Sequence, residues 1–114
     1  MLRSLELKGT SFSCIVDLFS EGFAATRPFY FEQYNLQQFY EQLDLLNKLI
    51  PGIARLQGEF EDDYIQLELL KNGHIHVTGE IIQHSELGQH LSFGFQTDQT
   101  CIPPLLKTIL SILR

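Results

Sequence analysis

The sequence predicts an α+β fold in which a curved antiparallel sheet of about seven strands has two helices packed on one face, in the order βββαββββα. Apolar residues alternate with polar ones in seven short runs, and in two further segments their spacing changes to that of a helix. Turns between the later runs are short. One-sided alternation with short turns is typical of an antiparallel sheet that is buried on one face and hydrated on the other.

The length of 114 residues suits a single domain spanning 1–114, which needs no metal or disulfide framework to bury a core. The composition, 44% hydrophobic and 19% charged, excludes a disordered chain, and the lack of an uncharged apolar run near 20 residues excludes a membrane span. A net charge of -6 argues against nucleic acid and against a membrane of anionic lipid as partners. Because Glu6 stands where a secretory signal needs its apolar run, the expected location is the cytoplasm.

Three strands are predicted between residues 5 and 31, where apolar residues recur at every second position. Gly9 and the pair Glu21 and Gly22 separate the runs, and Pro28 interrupts the third. Proline cannot donate to a ladder, so the third strand either lies at a sheet edge or is bulged there, and we favour the edge. The apolar positions are Leu5, Leu7, Phe12, Cys14, Val16, Leu18, Phe29 and Phe31.

A first helix is predicted over 35–49, with Asn35 as its N-cap and Pro51 as its stop. Its apolar residues are spaced by three and four, which indicates an amphipathic helix that covers the sheet. They are Leu36, Phe39, Leu43, Leu46 and Leu49.

Four more strands follow, and their turns can be tested because residues directly opposite in a hairpin must share a face. A three-residue loop, 71–73, pairs Leu70 with His74 and requires Gly73 in the left-handed conformation. The same rule applied at 62–63 places Phe60 opposite Ile65.

The closing segment, 101–113, is predicted as a helix with Thr100 as N-cap and two prolines in its first turn, where their missing amide protons have no helical partner. We interpret Thr97 and Asp98 as part of this capping turn and not as a site. Cys14 and Cys101 are expected as buried thiols, with a structural disulfide between them left open.

We predict that the protein is not an enzyme, because the sequence carries none of the G-x-S-x-G, P-loop, HExxH or GxGxxG motifs. His74 and His76 share a strand face, and Glu68 or His90 could complete a metal site. A His-x-His pair on a hydrated strand is more often an exposed face alone, so we predict no metal and no cofactor. A small-ligand or metal-binding domain is the alternative function.

The acidic residues are unevenly distributed. Residues 56–106 hold eight acids and one base, Lys71, a balance of -7, whereas the rest of the chain holds six acids and seven bases. Since the strands of this segment present a polar face, the field can steer a basic partner toward it or serve solubility alone.

Several segments of the second half resemble the WapI-type immunity proteins of bacteria. They are residues 56–60 and 64–69, the run from Gly73 to Ile81, and the run from Leu91 to Thr100, which ends in Phe-x-Phe-x-Thr-Asp-Gln-Thr before Ile-Pro. The last block is the most specific part. The similarity covers about residues 54–113, and the first half agrees only in its order of strands and its leucine-rich helix.

The resemblance implies a small cytoplasmic protein that binds and neutralises the toxic domain of a polymorphic or contact-dependent toxin. A basic toxin domain would suit this acidic chain. The family supplies no catalytic residues to carry over. We expect a monomer or a weak homodimer, because an edge strand is exposed. The expected contact residues are Glu59, Glu68, His76 and Glu80.

Overall fold

A computed structural model describes residues 4–9, 13–20, 23–60, 62–82, 88 and 90–113. Phe12 and the predicted break at Glu21 and Gly22 lie outside these residues. Within them the predicted order βββαββββα is confirmed, with a 3-10 turn, Gln99–Cys101, before the last helix. The elements are β1 (Ser4–Gly9), β2 (Ser13–Ser20), β3 (Phe23–Tyr30), α1 (Gln33–Asn47), β4 (Gly52–Gln57), β5 (Tyr64–Leu69), β6 (His74–Ile82), β7 (His90–Asp98) and α2 (Ile102–Leu113).

The strands form two antiparallel sheets, so the predicted single sheet of about seven strands is wrong. Among the described residues, β1-β2-β3 form a three-stranded sheet and β4-β5-β6-β7 a four-stranded sheet. The separation follows from α1, which lies between β3 and β4 in the chain and packs against β4. Among the described strands, those joined by turns pair with each other, whereas β4 does not pair with β3. The two sheets meet where Glu59 N donates to Tyr30 O at 2.7 Å.

The core is one cluster of buried side chains to which both sheets and both helices contribute. Every second residue of β5 and β6 is buried, as are Ala54 and Leu56 of β4, which the alternation predicts. Helix α1 contributes one stripe and contacts α2, which in turn contacts β1. The buried helical residues are Leu36, Phe39, Leu43, Leu46, Ile102, Leu105 and Ile109.

Among the strands that the structure describes, β3 pairs with β2 alone, which confirms that the strand containing Pro28 is an edge strand. Pro28 stands opposite Ile15, and the neighbouring Phe29 is fully buried. The proline therefore costs no inner ladder bond, while the residue beside it fills the core.

Helix α1 begins at Gln33 with Glu32 as N-cap, before the predicted Asn35. At its other end Ile50 N donates to Leu45 O at 3.1 Å, and Leu49 takes a positive φ of 63°. The residue that takes the left-handed conformation at the end of a helix is usually glycine, whereas here it is a leucine. The chain thus leaves the helix just before the predicted stop at Pro51.

The hairpin between β5 and β6 has the predicted register, with Leu69 opposite Ile75 and Leu67 opposite Val77. Gly73 has a φ of 84°, and its N–H donates to Leu70 O at 3.0 Å. The conformation of the turn and the alternation of apolar residues therefore select the same register.

The hairpin between β4 and β5 differs from its prediction, because Leu56 and not Phe60 stands opposite Ile65. The connecting loop is longer than two residues, since Asp63 is drawn inward. Its Oδ1 accepts from Ile82 N at 3.0 Å and its backbone O accepts from Gly58 N at 2.8 Å.

Asp98, not Thr100, caps the C-terminal helical segment: its carboxylate accepts hydrogen bonds from the N–H of Thr100, at 2.9 Å, and from the Thr100 hydroxyl. Pro103 and Pro104 lie in the first turn of α2, as predicted. The interpretation of Asp98 as a capping residue is therefore confirmed.

Both cysteines are free thiols. Burial raises the pKa of Cys14 to about 12 and, with a smaller contribution from the charge of Asp98, that of Cys101 to about 11. Both thiols are therefore protonated at neutral pH, which makes them poor nucleophiles. As for membranes, neither helix of the described chain combines the length and the apolar character that a crossing requires.

Candidate binding face

The side chains of β4–β7 that alternate with the buried ones form a polar surface on the four-stranded sheet, which we call the outer face. Pairing of the strands sets most of them in three rows across the sheet. The rows are Ile53, Glu68, His76 and Gln96; Arg55, Gln66, Thr78 and Gly94; and Gln57, Tyr64, Glu80 and Ser92. His74, Asp98 and His90 extend the face at the two ends. The apolar inner face of the same strands lies in the core. Because successive side chains of a strand point to opposite faces, the polar residues must lie on the outer face.

Three of the four predicted contact residues lie together on the outer face. Glu68 stands directly opposite His76, and Glu80 stands opposite Tyr64 on one side and Ser92 on the other. Glu59, by contrast, follows the end of β4, where it is exposed in the loop beside β3. The sheet thus brings Glu68, His76 and Glu80 together and leaves Glu59 at the margin.

Each carboxylate of the outer face has a histidine as a cross-strand neighbour. His76 lies opposite Glu68, His74 lies opposite Asp98, and His90 Nε2 lies 3.4 Å from Glu80 Oε1. His74 and His76 share the face, as their spacing predicts. Across the described ranges, however, no three His, Cys, Asp or Glu side chains come together in a group that could hold a metal ion.

The pKa of Asp98 is lowered from its usual value, first by the hydrogen bond from the Thr100 hydroxyl, then by that from the Thr100 N–H, with a smaller contribution from His74. The carboxylate is therefore held as an anion by the turn that it caps. Its position at the end of the face is a by-product of the capping role.

Arg55 is the residue of the face that the sequence reasoning missed. It lies on β4 in the middle row, and its guanidinium carbon sits 4.0 Å from the centroid of the Tyr64 ring. Nε and Nη2 both lie 3.3 Å from Gln57 Oε1, and Nη1 lies 3.3 Å from Gln66 Oε1. The backbone N–H of Arg55 donates to Gln42 Oε1 of α1 at 2.9 Å, and this contact covers the free edge of β4. The alternation of Ile53, Arg55 and Gln57 was the signal that could have found it.

The acidic excess of residues 56–106 is only partly on this face. Asp63 is buried, and Glu61 and Glu86 lie outside the described residues. In the part of the chain that the structure covers, the face carries Glu68, Glu80 and Asp98 together with Arg55. It is therefore acidic with a cation in the middle row of its edge strand β4, and not uniformly acidic.

The model of the immunity protein WapI-like family matches residues 10–114, which span both sheets and both helices. No curated protein and no solved structure matches the chain.

Proposed function

Since this chain belongs to the WapI-like immunity protein family, we propose that it binds and neutralises the toxic domain of a cognate bacterial toxin. It acts in the cytoplasm of the producing cell, as one domain and as a monomer or weak homodimer. Its binding surface is the outer face, with Glu68, His76 and Glu80 as contacts and Glu59 at the margin.

The observation that carries this proposal is the division of the four-stranded sheet into a core side and a polar side. Alternate residues of β4–β6 are buried in the core that the helices share, which leaves four strands of exposed or half-buried, mostly polar side chains on the other side. A rigid surface of this kind loses little conformational entropy on binding. It favours inhibition by surface complementarity, which requires no reaction.

Charge supports a basic partner. The chain carries a net charge of -6, and the outer face presents Glu68 and Glu80 on neighbouring strands. Complementary charge raises the rate of encounter and excludes partners of the same sign. A basic toxin domain, such as a nuclease, would fit these carboxylates.

Co-expression with the toxin domain encoded next to this chain tests the function. We expect the chain to restore growth, and the purified chain to form a stable complex with an inactivated form of the toxin, measured by titration calorimetry with a Kd below about 1 μM. An unrelated acidic protein of similar size serves as the control. Absence of both rescue and binding by the folded chain would show that the proposed function is wrong.

A further inference from the structure

Arg55 is held in one place by neutral groups. Its guanidinium stacks on Tyr64 at 4.0 Å and donates to the amide oxygens of Gln57 and Gln66, each at 3.3 Å. Arginine side chains on protein surfaces are usually free to change rotamer, and fixing one costs conformational entropy. Here the neighbouring side chains of the sheet already hold the Arg55 side chain in the free protein, so less conformational entropy is lost when a partner binds.

The guanidinium still has hydrogen-bonding capacity. It carries five N–H groups, of which one on Nε, one on Nη1 and one on Nη2 are directed at the two glutamines. One N–H on each terminal nitrogen is therefore left over among the described residues. In that part of the chain, the partners of the guanidinium are the neutral side chains of Gln57, Gln66 and Tyr64, so its charge has no bonded carboxylate there.

We propose that Arg55 is an anchor of the toxin interface and that it binds a carboxylate of the toxin, an Asp or Glu side chain. The inference rests on the proposed function and adds the chemistry of the partner. A carboxylate has two oxygens that can accept from the two terminal nitrogens at once, which gives both charge pairing and a fixed orientation.

The neighbouring acids limit what can bind there. Glu68 is the diagonal neighbour of Arg55 across the β4–β5 pair, at roughly 7–8 Å, and Glu80 lies two strands away, opposite Tyr64. An extended anion would meet both carboxylates, whereas one side chain can reach Arg55 between them. The matching toxin surface therefore presents one acidic residue flanked by basic residues that face Glu68 and Glu80.

The residue types fit an anchor as well. Arginine and tyrosine are enriched among the residues that dominate binding energies, and these lie near the centre of interfaces. Arg55 and Tyr64 stack on adjacent strands in neighbouring rows of the face. A polar rim around them would exclude water from the ion pair.

Affinity measurements on the full chain and the inactivated toxin domain test this assignment. We expect Arg55→Ala to weaken binding roughly 100-fold and Arg55→Lys roughly tenfold, because lysine cannot form a two-point contact. Lys107→Ala, which removes the same charge from an exposed position on α2, is the matched control and is expected to bind like the unaltered chain. Melting temperatures of all variants check that each is folded, and Arg55→Lys keeps the charge if Arg55→Ala proves unstable.

A charge exchange identifies the partner group. Arg55→Glu is expected to abolish binding to the unaltered toxin, and one Asp→Arg or Glu→Arg variant of the toxin is expected to restore it. If the unaltered chain fails to bind the toxin, the proposed function itself is wrong. If it binds and the folded Arg55→Ala and Arg55→Lys variants bind equally well, or no exchange restores binding to Arg55→Glu, the carboxylate anchor alone is wrong.

Discussion

Gly79→Ala is expected to lower the free energy of unfolding by about 1–3 kcal/mol. Gly79 lies on the buried side of β6, directly between Ile65 and Phe93 of the flanking strands. A Cβ there would overlap with Phe93 Cζ and would lie 2.8 Å from the backbone O of Tyr64. The ring can turn aside only by disturbing the core, and the carbonyl belongs to the ladder between β5 and β6.

Gly94→Ala is the matched control, because Gly94 lies on the outer side of the adjacent strand β7. A Cβ at that position meets only Thr78 Cγ2 at 3.7 Å and Val77 O at 3.9 Å, which are ordinary contacts. We expect its stability to change by no more than about 0.5 kcal/mol. Urea unfolding followed by circular dichroism measures both. Equal stability of the two variants would contradict the packing described for Phe93 over Gly79.

The double reversal Glu68→Lys with Glu80→Lys is expected to weaken binding to the cognate toxin domain roughly 100-fold, mainly through a slower association rate. The two side chains occupy neighbouring strands of the outer face, in the first and third rows, so lysines there would repel the basic groups that the proposed interface brings to them. Raising the salt concentration should reduce the difference, since it screens exposed charges.

Glu41→Lys provides the control for the change in net charge. Glu41 is an exposed glutamate on α1, outside the sheet, and its reversal alters the charge of the chain as much as either single reversal on the face. Stopped-flow association rates should fall at least about tenfold further for Glu68→Lys than for Glu41→Lys. Equal losses for the two would mean that only the overall charge matters and that Glu68 is not in the interface.

The element order and the split between buried and exposed positions were predictable because period-two and helical spacings determine which side chains enter the core. The register at Gly73 was predictable for a second reason, since the turn and the apolar pairs select the same pairing. The division into two sheets was not predictable, because alternation is the same whether β3 pairs with β4 or not. It depends on how α1 packs against β4.

On the site, Glu68, His76 and Glu80 could be placed together because one reliable register relates their strands. Asp63 could not be placed correctly. Its burial depends on a hydrogen bond from the N–H of Ile82, 19 residues away in the sequence. The acidic run that was predicted as an exposed hairpin tip therefore contains one buried aspartate with a structural role. Arg55 was missed since it stands just before the acidic segment, although the sheet places it in the middle row of the acidic face, on the edge strand β4.

Hydroxyl-radical footprinting of the chain, free and bound to the inactivated toxin domain, tests most directly whether the outer face is the binding surface. Tyr64 and His76 report on that face, and Tyr34, which is 66% exposed on α1, reports on a surface outside the sheet. We predict that the toxin protects Tyr64 and His76 from oxidation and leaves Tyr34 unchanged. Protection of Tyr34 with undiminished oxidation of Tyr64 and His76 would contradict this account and place the interface elsewhere.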